Sequence, residues 1–335
     1  MLKDSLSRSI TDLRISVTDR CNFRCSYCMP LDEYAWTDKN EILTFEEITR
    51  LVRLFVTLGV KKVRLTGGEP LVRTNLPKLI EKLARIKGLD DLCLTTNGSL
   101  LEPQAKSLAA AGLQRVNVSL DTLDREKFRR LTKRGDLSEV LAGIFEANHQ
   151  GLEPIKINAV VMRGENENDV VPLAEFARKY GFEMRFIEYM DVGNVNHWSR
   201  SKTVPKNEIL ELIGTKFPLE SVQTISGPSV IHRYLDGLGR VGVIASITEP
   251  FCGDCTRARI TADGKLVTCL FSSRGHDLKQ LLRNGASDLE IVERVRSIWR
   301  RRTDQYSENR LAASQSNSLS RTIKYPKLEM INLGG

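Results

Sequence analysis

Short apolar runs alternate along the chain with longer stretches in which apolar residues recur every three to four positions, the spacings of strands and of amphipathic helices. Strand-like runs cover 13–17, 62–65, 92–95, 115–119, 155–161 and 184–188. Helical stretches lie between and after them at 44–59, 76–86, 103–111, 124–150 and 169–180. The first helix opens on Thr44-Phe45-Glu46-Glu47, a capping-box pattern. Six strand–helix units with short links predict a parallel sheet with helical crossovers. Six also fall short of the eight that close a barrel.

From Val204 the pattern changes. A helix at 206–213 precedes two strand-like runs, 230–234 and 240–245, separated by Asp236-Gly237. Gly237-Leu238-Gly239-Arg240-Val241-Gly242 matches G-x-G-x-x-G, but a strand follows it rather than a helix, so it reads as a hairpin turn. Residues 257–270 form a second expected hairpin, turning at Ala262-Asp263-Gly264. Beyond Thr303 the chain is polar and broken up, burying little, and ends Leu333-Gly334-Gly335. The expected organisation is a barrel over 1–200, a region closing it over 201–302 and a tail over 303–335.

The barrel strands break one rule. Strands buried on both faces normally read as near-continuous apolar runs. Here Arg14, Lys62, Arg64, Lys156 and Arg185 stand at alternating positions among apolar residues. A period of two puts the apolar residues against the helices and the cations into the lumen, where unpaired charge is expensive. Cations from four strands facing one cavity imply an anionic ligand, unless each pairs with a local carboxylate or reaches out at a strand end.

Cysteine spacing adds the chemistry. Cys21, Cys25 and Cys28 follow the first strand as C-x3-C-x2-C, with Tyr27 before the last thiol. Three thiolates converging on one point suit an iron–sulfur cluster or zinc, and no fourth Cys or His is near to close a zinc site. A second set, Cys252, Cys255 and Cys269, is spaced C-x2-C-x13-C, and the expected hairpin would return Cys269 to the first two. Zinc competes there, because His276 could complete a Cys3His site. Cys93, in an apolar strand, reads as a core residue.

The first motif resembles the signature of the radical S-adenosylmethionine (SAM) superfamily. The resemblance implies an α/β fold: an open, partial (β/α)6 barrel with a C-terminal extension carrying a second iron–sulfur cluster. It also implies a [4Fe–4S] cluster whose free iron is chelated by SAM, which is cleaved to a 5′-deoxyadenosyl radical. Gly67-Gly68-Glu69-Pro70, after the second strand, matches the superfamily's GGE motif for the SAM amino group.

Composition narrows the field without deciding it. The chain has 335 residues, 41% hydrophobic and 27% charged, with seven cysteines and a net charge of +8. No apolar run nears the ~20 residues of a membrane span, and the N-terminus lacks a secretory pattern, so the expectation is a cytoplasmic protein. Arg129-Arg130, Lys133-Arg134 and Arg300-Arg301-Arg302 read as solvated helix faces. Aromatic content of 6% is low for a nucleic-acid surface.

Both cysteine sets, the six-unit barrel and the terminal Gly-Gly together resemble the GTP 3′,8-cyclase family of molybdenum-cofactor biosynthesis. That resemblance implies two [4Fe–4S] clusters, with Tyr27, Gly68, Ser119 and Met190 around SAM. It places Arg14, Arg64, Thr95, Lys156, Arg257, Ala258 and Arg259 around GTP, the last three matching the family's Arg-x-Arg. Gly334 and Gly335 are implied in catalysis. The radical would take the 3′ hydrogen of GTP, and the ribose carbon would attack C8 of guanine. Implied partners are GTP and an electron donor, with room for a homodimer and with neither nucleic acid nor membrane. Two alternatives stay open: a radical SAM enzyme that modifies peptides, and a zinc-containing nucleic-acid binder.

Overall fold

The computed structural model describes residues 1–29, 31–222, 227–315 and 327–334. Six strands alternate with helices: β1 (Asp12–Ser16), α1 (Phe45–Thr57), β2 (Lys62–Thr66), α2 (Leu76–Ala84), β3 (Asp91–Thr96), α3 (Ala105–Ala110) and β4 (Arg115–Ser119). Then come α4 (Arg125–Thr132), α5 (Leu137–His149), β5 (Lys156–Val161), α6 (Val170–Lys179) and β6 (Glu183–Glu188). Each of β1 to β5 pairs in parallel with the next, as the alternation predicts.

Local chemistry explains the elements. Thr44 and Glu47 form the reciprocal capping box at the start of α1, worth about 1 kcal/mol. The helix then buries Ile48, Leu51, Val52 and Phe55. Facing strands contribute Leu13, Ile15, Val63, Leu65, Val116, Val118, Ile157 and Phe186, all at most 1% exposed. This apolar layer between sheet and helices is the core, and it leaves the other face of every strand to the lumen.

The C-terminal part continues the same sheet: α7 (Lys206–Gly214), β7 (Leu219–Ser221), β8 (Val230–Tyr234), β9 (Arg240–Ile244), β10 (Arg257–Ile260), β11 (Lys265–Val267) and β12 (His276–Asp277). Four helices follow: α8 (Lys279–Arg283), α9 (Asp288–Arg300), α10 (Tyr306–Gln315) and α11 (Met330–Leu333). Both expected hairpins form, β8–β9 and β10–β11, and Gly264 takes a positive φ of 82° in the second turn. Strand β9 docks in parallel beside β6, and β10 in parallel beside β1, giving one sheet in the order β12-β11-β10-β1-β2-β3-β4-β5-β6-β9-β8-β7. The open barrel thus gains a parallel strand at each edge. No helix among the described residues is long and apolar enough to cross a membrane.

Two expectations need correction. The tail is not merely polar and frayed: it contains α10 and α11, and Ile331 and Leu333 are 6% and 1% exposed. Arg302 does not belong to a solvated face. It is 4% exposed and reaches Asp4 at 3.4 Å, because α9 ends against the N-terminal segment.

Candidate active site in the barrel lumen

The first cysteine loop leaves the C-terminal end of β1 and is fixed from both sides. Arg24 and Ser26 donate main-chain N–H groups to the Thr132 and Leu131 carbonyls at the end of α4, at 2.9 and 3.0 Å. The Arg24 guanidinium bonds the Cys21 and Phe23 carbonyls and lies over the Tyr34 and Trp36 rings. Burial pushes the Cys21 thiol up to about 11 and also raises Cys25 and Cys28, each of which feels the charge of another thiol of the set. Buried thiols that resist ionisation alone suit a cationic metal centre that stabilises thiolates. Among the described residues no three donors are preformed around one metal position, so the fold supplies the thiols on one loop rather than a finished coordination sphere.

The Gly-Gly-Glu segment approaches its own chain closely. A Cβ on Gly67 would lie 2.3 Å from the Thr18 carbonyl oxygen, and one on Gly68 would lie 2.3 Å from that of Arg20. The glycines let Gly68 and Glu69 donate to those two carbonyls and so fix the approach to Cys21. The Glu69 carboxylate accepts from Leu71 N, Thr96 Oγ1 and Asn97 N at 3.0, 2.7 and 2.7 Å. Burial raises its pKa to about 7 against these hydrogen bonds. Tyr27 Oη bonds Asp121 Oδ2 at 2.9 Å, while Ser119 and Met190 lie at the ends of β4 and β6 on the same rim.

Below that rim the lumen is polar, in register across strands. Arg259, Arg14 and Arg64 stand abreast on β10, β1 and β2. Among the described residues, none of the three makes an ion pair, and Arg14 makes no hydrogen bond through its side chain. Arg64 reaches Thr95 Oγ1 at 3.5 Å. Burial, then the charges of Arg259, Arg64 and Arg257, hold Arg14 well below the ordinary arginine value. Arg257 lies one lumen position nearer the base, opposite Asp12. Ala258 is the exception in its set: its methyl is fully buried in the core layer, away from the lumen.

The other expected lumen cations have the local carboxylate partners that were the alternative to an anionic ligand. Lys62 lies 3.5 Å from Asp12 and 3.8 Å from Asp91. Lys156 and Arg185 share Glu183, at 3.2 and 2.6 Å. Glu183 was legible as a charged residue at the head of a strand, two positions before Arg185. Cys93 is fully buried, as expected of a core residue, and stands in register with Arg64 and Arg115.

The second cysteine set lies beside this arginine row. Arg8 donates to the Cys252 carbonyl at 2.8 Å and Arg302 to that of Cys255 at 2.7 Å. Burial opposes ionisation of Cys255, but Arg257 and Arg302 outweigh it and bring the thiol down to about 6. Cys269 is raised to about 12, first by burial and also by the charges of Asp304 and Cys255. His276, the alternative zinc ligand, sits exposed on β12 opposite Leu266, and the charges acting on it are those of Arg294 and Asp304.

The tail returns to the lumen. Lys327 Nζ bonds both the carboxylate and the carbonyl of Asp191 at 2.6 Å, and Leu328 N bonds the Ser272 carbonyl at 3.0 Å. Ser16 Oγ donates to the Asn332 carbonyl at 3.1 Å, and Arg259 Nη1 to that of Gly334 at 3.2 Å. Gly334 has a φ of 68°, and a Cβ there would lie 2.2 Å from Thr66 Cγ2. Gly335 lies outside the described residues.

Comparison with known proteins places this arrangement. Residues 15–177 match the Radical SAM superfamily model and 182–308 the Molybdenum Cofactor Synthesis C model. A GTP 3′,8-cyclase of Acidothermus cellulolyticus is 50% identical over 327 residues, covering 94% of this chain and 90% of that one. Those of Staphylococcus epidermidis and Xanthomonas axonopodis pv. citri are 44% and 45% identical, each covering all of this chain and 99% of its own length. Among solved structures, Streptococcus suis SuiB bound to S-adenosylmethionine is similar in fold, with a TM-score of 0.63 at 16% identity over 86% of this chain and 68% of that one. Carrying both domains in sequence and matching these relatives over almost its whole length, the chain belongs to the GTP 3′,8-cyclase family of the radical SAM superfamily.

Proposed function

We propose that the lumen binds GTP and SAM together and converts GTP to (8S)-3′,8-cyclo-7,8-dihydroguanosine 5′-triphosphate, the first step of molybdenum-cofactor biosynthesis. The observation that carries the substrate assignment is the row Arg259–Arg14–Arg64, guanidinium groups abreast, the outer two on buried residues and Arg14 half-buried between them, with no carboxylate in an ion pair among the described residues. A triphosphate supplies the missing negative charge, in a site dry enough for each charge-assisted hydrogen bond to count.

Cys21, Cys25 and Cys28 would hold a [4Fe–4S] cluster, and Cys252, Cys255 and Cys269 a second one. When bound, the first cluster with SAM supplies one electron, from an external donor, and a radical able to take hydrogen from the substrate ribose. The chain's own residues position and shield that chemistry. Glu69 braces the end of β2 against β3, and Asp121 orients Tyr27. Arg14, Arg64, Lys156, Arg257 and Arg259 hold phosphate, while Thr95 supports Arg64 and Ser119 and Met190 border SAM. Gly334, whose carbonyl accepts from Arg259, lies beside the phosphate site, and Gly334 and Gly335 are assigned a part in the reaction.

Equilibrium dialysis of the anaerobically reconstituted chain tests the assignment. Arg14→Met should weaken GTP binding by ~1.5–3 kcal/mol, the worth of a hydrogen bond to a charged group, and leave SAM binding unchanged. Unchanged GTP affinity overturns it.

A further inference from the structure

Among the described residues the lumen holds an unpartnered neutral donor that the proposed reaction has not used. Asn117, on β4, is fully buried, and its Nδ2 has no hydrogen-bond partner. A buried amide donor left unpaired costs free energy that a folded protein rarely bears without a reason.

Its orientation is set by its neighbours. Asn117 Oδ1 accepts from Arg115 Nη1 at 3.3 Å, two residues earlier on the same face of the strand. Arg115 carries only donors, so the amide atom facing it must be the oxygen. Arg115 is itself locked: its Nε and Nη2 reach the two carboxylate oxygens of Asp91 at 3.0 and 2.6 Å. The chain Asp91–Arg115–Asn117 therefore turns the –NH2 away from its only partner. In register, Asn117 lies between Thr95 on β3 and Lys156 on β5, both on the substrate side of the lumen.

We propose that Asn117 is a substrate-binding residue whose Nδ2 donates to a phosphate oxygen of the nucleoside triphosphate, oriented for that contact by Arg115 and Asp91. This rests on the reading of the lumen as a triphosphate site. Asparagine adds there what the cations do not, a directional neutral donor that holds one phosphate oxygen in place.

The test is equilibrium dialysis of the reconstituted chain with GTP, inorganic tripolyphosphate and guanosine, beside thermal unfolding. Asn117→Asp keeps the shape and the acceptor facing Arg115 but replaces the donor with a negative oxygen. Asn117→Ala removes the orphaned group. Both should weaken GTP and tripolyphosphate by on the order of tenfold or more and leave guanosine and SAM unchanged. The Ala variant should unfold at the wild-type temperature or above, since its loss removes an unsatisfied donor, whereas a purely structural asparagine would lower it. Unchanged affinity for tripolyphosphate overturns the proposal, as does an equal loss for guanosine. Should the wild type bind tripolyphosphate but not GTP, the GTP reading fails while the tripolyphosphate comparison still decides the role of Asn117.

Discussion

Asp4 and Arg302, 298 positions apart, meet out of reach of water, with Nη1 3.4 Å from Oδ2 and both side chains at most 1% exposed. Arg8 binds the same carboxylate oxygen at 2.6 Å. Through Arg8 and Arg302 this one carboxylate steadies the carbonyls of Cys252 and Cys255. Asp4→Ala would leave the buried Arg8 guanidinium without its counter-charge and Arg302 with Asp304 alone. The expected cost is ~3–5 kcal/mol in urea unfolding, against less than ~0.5 kcal/mol for the exposed control Arg300→Ala. Equal midpoints for the two variants would remove the N-terminal segment from the support of this loop.

The metal content of the second cysteine set follows from its donors. Three thiols, one of them brought down to about 6 by adjacent arginines, stand with His276 exposed on an edge strand. Anaerobic reconstitution should give about eight irons per chain and negligible zinc, and replacing Cys252, Cys255 and Cys269 together by Ala should leave about four. Stoichiometric zinc that disappears in the triple variant, with iron unchanged, would assign the site to zinc.

Sequence periodicity located all six barrel strands and both later hairpins, because those signals are local. It did not reveal that β10 would pair with β1 or β9 with β6. Those pairings are set by which open sheet edges remain, and nothing within the strands themselves encodes it. The lumen cations were legible from alternation, but their fates were not. Lys156 and Arg185 share Glu183 across a strand pair, whereas Arg14 lies between two other arginines. Register, which the sequence leaves open, makes that difference. Cys93 is buried, as a cysteine among leucines suggests, but its place beside Arg64 and Arg115 depends on the same register. The tail misled differently, since Ile331 and Leu333 are too few to produce a periodic signal.

Lys156 gives the lumen a pH dependence. Burial, then the charge of Arg185, with Arg115 adding to it, lowers its pKa from the ordinary 10.5 to about 8, and Glu183 opposes the shift. The unfolded chain therefore binds more protons than the folded one between those values, so Lys156 contributes stability that rises with pH across that window. Substrate binding should run the other way, because a triphosphate needs the charged amine. GTP affinity should fall as pH rises through about 8, and Lys156→Met should bind GTP more weakly at pH 7 with a flatter profile. Dialysis across the range measures both. Parallel profiles for the two proteins would take Lys156 out of the phosphate site.

The tail makes the most specific demand. Arg259, a member of the arginine row, donates to the Gly334 carbonyl, and Thr66 leaves no room for a side chain at that residue. Asp191, Ser272 and Ser16 hold residues 327–332, so the last turn is delivered to the lumen by contacts upstream of the glycines. A chain stopping at Leu333 keeps all of those contacts. It should fold normally, retain its iron, and bind SAM and GTP. It should still fail to form the cyclised product in a single turnover, because reactants that are bound but loosely placed lose the advantage of fixed orientation. Gly334→Ala should do the same without shortening the chain, since its Cβ would overlap Thr66 and its φ of 68° disfavours any side chain. Full activity in both variants would return the glycines to the status of a chain end. Loss of iron or of folding in the truncated chain would make the tail a structural element. Intact binding with absent product is the outcome that gives Gly334 and Gly335 a part in the reaction.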